Sequence, residues 1–112
     1  MSPGPLSALG AACIAAGAAQ AQVAPERQQA LVHIVRQDCG ACHGLQLTGG
    51  LGPPLTAQAL KDRTVDSIVA TTLYGRPGTP MPPWKSMLSD ADALWIAQQL
   101  RAGFPELPKV VK

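Results

Sequence analysis

Two cysteines and a histidine constrain this chain more than any other feature. Cys39, Gly40, Ala41, Cys42 and His43 form a C-x-x-C-H run, which reads as the attachment point of a c-type haem. The spacing has a physical basis. Two cysteines three apart on a helical turn reach the two vinyl groups of one porphyrin edge, and the adjacent imidazole then faces the iron. Three other chemistries use the same residues. A thioredoxin-like C-x-x-C belongs in a βαβ unit, and nothing in the sequence alternates like a strand. A structural zinc site takes four ligands, and past residue 21 the chain offers two Cys, His43 and a distant His33. A plain disulfide between Cys39 and Cys42 would leave the core unexplained. The chain has 112 residues, with two Trp, one Tyr and one Phe, few large side chains for a domain that buries only a modest share of its surface. A flat, mostly apolar insert held by two bonds would complete such a core.

The N-terminus has the form of an export signal. Leu6 to Ala19 is small, apolar and uncharged, no Lys or Arg precedes Arg27, and Ala19-Gln20-Ala21 suits a cleavage site. The run is too short for a permanent membrane anchor. We therefore expect residues 1–21 to be removed and residues 22–112 to form one domain in the periplasm. Cys13 should leave with the signal, since a lipoprotein cysteine needs a Leu-like residue three positions earlier and Gly10 stands there. The net charge of +2 comes without a basic cluster or an aromatic platform, so no nucleic acid partner is expected.

The expected fold class is all-α. Pro25-Glu26 suits a helix start, and Ala30, Leu31, Ile34 and Val35 make one apolar stripe leading into Cys39. Gly44 to Pro54 is rich in Gly and Pro and predicts loop. Val65, Ile68, Val69, Thr72 and Leu73 predict a second helix stopped by Gly75. Arg76 to Trp84 carries four prolines and predicts a stiff, extended loop. Ser89 with Asp92 announces a capped last helix bearing Ala93, Ile96, Ala97 and Leu100 on one face. The second iron ligand should be Met81, in a loop whose prolines leave the thioether little freedom to lose on binding. Met87 reads more simply as packing, and His33 as a surface histidine of the first helix.

Cys39 to His43 near the mature N-terminus, Gly52-Pro53 after it, Met81-Pro82 in a loop and the closing Leu88-Ser89-Asp90 helix together resemble the class I cytochromes c. Cytochromes of the c-prime type carry the motif near the C-terminus and fit badly. The resemblance covers residues 25–103 and implies three to four helices wrapped around one covalently bound haem c. It also implies that the Pro53 carbonyl accepts the second ring proton of His43, fixing the ring and raising its basicity. The family usually has an aromatic residue where Gln99 stands; Trp95, one turn earlier, is the available substitute. More narrowly, Pro80-Met81-Pro82-Pro83-Trp84 and Leu88-Ser89-Asp90-Ala91-Asp92 are similar to NirC-type small cytochromes associated with the periplasmic haem-d nitrite reductase of denitrifiers.

The implied activity is one-electron transfer by a monomer, not enzymatic turnover. With His43 and Met81 both bound the iron has no open site, and a thioether raises its potential. The partners expected are periplasmic redox proteins, with a nitrite reductase as the candidate acceptor. A ligand-binding sensor would need Met81 to be readily displaced, and an assembly role in maturation of the reductase is a third class. The haem rim should run through Gly49–Leu55 and Pro80–Trp84, with Lys61, Arg63, Arg76 and Lys85 as sparse basic neighbours, unless these are plain solvated charges. Tyr74, Arg76 and Trp84 are candidates to reach the propionates. Replacing Cys39 or Cys42 by Ser is expected to reduce sharply the yield of folded protein after export. Normal amounts of folded, haem-free protein would contradict the attachment.

Overall fold

The computed structural model describes residues 23–105, so the expected signal and Cys13 lie outside the described residues. Four α-helices make up the regular structure there, with no strand among the described residues. Helix α1 spans Pro25–Ile34 and opens as expected, with Pro25 in its first turn and Glu26 near its positive end. The chain then runs without a break through a π-helical segment, Val35–Cys39, into the short helix α2, Gly40–His43. Leu31 and Val35 are wholly buried, and Ile34 packs at the margin of the core. The π widening was not legible in the sequence, because it alters the hydrogen-bond step and leaves no composition signal.

Gly44 ends α2 with φ +95, and a Cβ there would lie 2.6 Å from the Gly49 carbonyl oxygen. A side chain at Gly44 would therefore be both strained and blocked. The following segment has no regular helix up to α3, Val65–Tyr74. One helical turn within it, closed by Leu60 N–H donating to the Thr56 carbonyl at 3.0 Å, buries Leu60. Thr64 caps α3 by accepting from the Ser67 amide at 3.0 Å, and Gly75 ends it at φ +75. The expected stripe holds, since Ile68, Thr72 and Leu73 are buried.

Helix α4, Asp90–Ala102, begins with the full capping box foreseen from Ser89 and Asp92. Each side chain accepts from the other residue's amide at 3.0 Å. Ala93, Ile96, Ala97 and Leu100 are all buried, and α4 packs on α3. They join Leu31 and Val35 of the first helical run in one core, where two alanines on the α4 face let neighbouring backbones come close. Asp92 also anchors α1, because Arg27 Nη2 donates to its carboxylate at 2.8 Å.

The aromatic link across the helices differs from the expectation. Trp95 meets Phe104 edge to face at 6.3 Å between centroids, and the Arg36 guanidinium stands 5.4 Å over the Phe104 ring. Phe104 lies past Gly103, outside the periodic pattern of α4, which hid it.

Arg27 and the Ser89 amide hold the Asp92 carboxyl below its ordinary value, against a smaller opposing effect of burial. Its pKa falls on folding, so its stabilisation is complete above about pH 4 and is lost as pH drops through the folded value. Asp92→Ala is expected to cost about 1–2 kcal/mol at neutral pH through loss of cap and ion pair, the latter discounted for the half-exposed Arg27. Melting temperatures of wild type and Asp92→Asn, followed from pH 7 to pH 3, should converge as pH falls. A constant gap would show that the carboxylate charge is not the source.

Candidate haem site

The site is built on the end of the first helical run. Cys39 is half-buried and Cys42 exposed, and both are free thiols. Burial, reinforced by Asp38 and Cys42, pushes the Cys39 thiol up to about 11. Redox-active C-x-x-C motifs work by lowering a thiol, so this environment opposes thioredoxin-like exchange, and the strands such a motif needs are missing among the described residues. No three His, Cys, Asp or Glu side chains are grouped to hold a metal ion among the described residues, which disfavours zinc.

His43 is fixed through one ring nitrogen. Its Nδ1 lies 2.6 Å from the Pro53 carbonyl oxygen. A carbonyl can only accept, so Nδ1 is the donor, which leaves Nε2 as the ring nitrogen to face a metal. A Cβ at Gly52 would come within 2.7 Å of His43 Cε1 and 2.8 Å of Nδ1, so only glycine there leaves the ring its place. The loop that supplies both residues is fastened to the motif. Gly52 N–H donates to the Cys42 carbonyl at 2.7 Å and Gly49 N–H to the His43 carbonyl at 2.8 Å. Its one strained non-glycine residue is Leu47, buried with φ +61. An imidazole fixed at Nδ1, with Nε2 turned to face a metal and two cysteines outside any disulfide on the preceding turn, fits an iron porphyrin bonded through sulfur. In that arrangement Cys39 and Cys42 would hold the porphyrin and His43 the iron.

Met81 is carried by a separate anchor. Trp84 N–H and Lys85 N–H donate to the Thr72 and Leu73 carbonyls, each at 3.1 Å, so the proline loop is tied to the end of α3. The Met81 carbonyl accepts from Arg76 N–H at 3.1 Å, and a Cβ at Gly75 would meet that oxygen at 2.7 Å. Met81 is half-buried, whereas Met87 and His33 are exposed. No hydrogen bond joins the Met81 loop to the His43 loop among the described residues. Of the proposed rim residues, Lys85 donates to the Tyr74 hydroxyl at 3.2 Å, and Leu51 stands almost fully exposed. Gly52 was visible beforehand only as part of a dipeptide; its role in leaving space for the His43 ring required coordinates.

A family model described as cytochrome c oxidase, cbb3-type, subunit III matches residues 26–99. Cytochrome c55X of Pseudomonas aeruginosa is 52% identical over 96 residues, covering 86% of this chain and 81% of that protein. Among solved structures, the c-type cytochrome NirC shares 54% identity at a TM-score of 0.70, covering 71% of this chain and 94% of that one. The chain belongs to the NirC-type small c-type cytochromes. Its all-α architecture is the class I cytochrome c fold, and membership of the family implies haem c as cofactor. The cytochrome is also similar to dihydro-heme d1 dehydrogenase NirN, solved in complex with DHE. Identity there is 34% and the TM-score 0.60, over 69% of this chain but 17% of that longer one.

Gly52→Ala is expected to push the His43 ring off the Pro53 carbonyl, at a cost of about 1–3 kcal/mol. Gly78→Ala is the control: nothing lies within 4 Å of its Cβ position at φ +81, so it should cost only backbone strain of about 1–2 kcal/mol. Denaturant melts and haem absorption spectra of the exported proteins compare them. Equal spectra in the two variants would show that Gly52 does not set the ring.

Proposed function

We propose that the cytochrome is a one-electron carrier of the periplasm, exported by residues 1–21 and working as a monomer with a single haem c. Cys39 and Cys42 would hold the group through thioethers, and His43 and Met81 would ligate its iron. The observation that carries this is the hydrogen bond that fixes His43 at the Pro53 carbonyl, in space that only a glycine at position 52 leaves open. An imidazole that cannot turn keeps the same bond to the iron in both oxidation states. When bound, the haem supplies reversible exchange of one electron. The chain supplies a strong imidazole donor, a soft thioether that favours the reduced iron, and exclusion of water. With both residues ligating the iron, no position would remain for a substrate.

The acceptor we propose is a nitrite reductase of denitrification. Residues 39 to 60 contain no Asp, Glu, Lys or Arg, so the margin around the haem edge would dock through Gly, Pro and Leu51 more than through charge. A net charge of +2 produces little steering, and the interface should be small, below about 1,200 Å², which favours rapid release. A second role is supported by the likeness to a segment of dihydro-heme d1 dehydrogenase. A dehydrogenation releases two electrons, and two oxidised copies of a one-haem carrier would take them. The cytochrome would then serve maturation of the reductase cofactor as well as the reductase. A ligand-sensing role has no such support.

Met81→Ala is expected to lower the potential and let carbon monoxide bind the reduced iron quickly, while Met87→Ala does neither. Exchange of the two behaviours would overturn the ligand assignment. Reduced cytochrome mixed with nitrite reductase and nitrite should be oxidised, with little loss of rate at moderate salt. Failure at every salt concentration would remove that acceptor. Oxidised cytochrome mixed with the dehydrogenase and its dihydro-haem substrate separates the second role, which requires reduction of the cytochrome.

A further inference from the structure

Arg36 is a buried cation whose place in the fold calls for a purpose. It lies three residues before Cys39, within the π-helical segment, and keeps 8% of its surface exposed. Its Nη1 donates to the Leu45 carbonyl at 3.2 Å and its Nη2 to the Pro105 carbonyl at 2.7 Å. The guanidinium stands over the Phe104 ring. Its Nε is buried with no hydrogen-bond partner among the described residues. No carboxylate pairs with it there: the one ion pair among the described residues is Arg27 with Asp92, and the nearest acid in sequence, Asp38, is exposed. Desolvating a charge is expensive unless it is paired, and two carbonyls with one ring face are a partial substitute. Stability alone does not account for it, since an apolar side chain of similar volume would serve the packing as well or better.

The position supplies a purpose. Leu45 is two residues past His43 and Arg36 is one turn before Cys39, so the guanidinium ties the turn before the attachment motif to the backbone just after it. Oxidising a haem iron adds one positive charge to it. A second positive charge fixed nearby in a low-dielectric interior opposes that oxidation more strongly than one in water. We infer that Arg36 raises the reduction potential of the haem, as an uncompensated charge locked into the core by the Leu45 and Pro105 carbonyls and the Phe104 ring. It is a positioning residue of the electron carrier rather than an iron ligand. π-Helical segments gather at functional positions, and here the widened turn is the one that carries Arg36 inward. This inference rests on haem attachment at Cys39 and Cys42.

Redox titration of the exported holoprotein tests it, with the absorption spectrum reporting haem content and axial ligands separately. Arg36→Met, apolar and long enough to fill the space, should load haem normally, keep both ligands and show a lower potential. Arg36→Lys keeps the charge while losing the fork of bonds, and should keep the wild-type potential although it melts earlier. Arg36→Gln, which retains a donor for a carbonyl, reads the same charge effect should methionine impair folding. Glu106, next in sequence after Pro105, is the remaining acid to test, and Glu106→Gln should leave the potential unchanged. Normal haem loading with equal potentials in Arg36→Met and Arg36→Lys would overturn the inference. So would a rise in Glu106→Gln matching the fall in Arg36→Met, since the charge would then be compensated. Wild-type protein without covalent haem would instead overturn the attachment itself.

Discussion

The hydrogen bond between His43 Nδ1 and the Pro53 carbonyl, 2.6 Å long, is the interaction on which the rest of the site depends. It fixes the ring through Nδ1, aims Nε2 and binds the residues after the motif back onto it. The loop geometry follows from that need. Gly44 and Gly49 turn with positive φ, Gly52 leaves the ring room, and amides of the loop return to the Cys42 and His43 carbonyls. Leu47 accepts a strained backbone inside the same loop. Strain of this kind persists only where surrounding contacts over-determine the conformation, and here Leu47 N–H donates to the Gly44 carbonyl at 2.7 Å and the Leu47 carbonyl accepts from Leu55 N–H at 2.9 Å.

Around this centre the protein uses fasteners more than bulk. Three side chains, Leu31, Val35 and Ile96, are the largest that are wholly buried, a thin core for a chain of this length. The Arg27–Asp92 pair and the capping box secure the start of α4 to α1. Arg36 and Phe104 secure its far end to the turn before Cys39. The proline loop bearing Met81 is tied to α3 by two backbone bonds. Each tie holds a segment that a covalently bound apolar insert would otherwise have to organise by itself.

Much of this was legible in the chain before any coordinates. Helical stripes at Leu31 and Val35, at Ile68 and Leu73, and at Ala93 to Leu100 are periodic, and periodicity survives in one dimension. The Ser89–Asp92 box and the Gly75 stop are local as well, so residue type and spacing sufficed. The unread features all join residues far apart or alter hydrogen-bond step without altering composition. Arg27 and Asp92 are 65 positions apart, and Arg36 and Pro105 are 69 apart. The π segment, the Thr56 turn and the space at Gly52 have no pattern of their own. Trp95 was seen as an aromatic of the last helix, but its partner Phe104 stood outside the helical period. At the site, the motif itself announced Cys39, Cys42 and His43, whereas Met81 was separable from Met87 only through the prolines around it.

The carrier we propose would keep its iron closed, with His43 and Met81 as its ligands. The most direct measurement is the near-infrared absorption of the oxidised wild-type protein, where a weak sulfur-to-iron charge-transfer band reports a bound thioether. The account predicts that the band is present at neutral pH and that the reduced form resists carbon monoxide. A spectrum without the band, together with rapid carbon monoxide binding, would contradict it, since the iron would then be open and a closed electron carrier would no longer describe this protein.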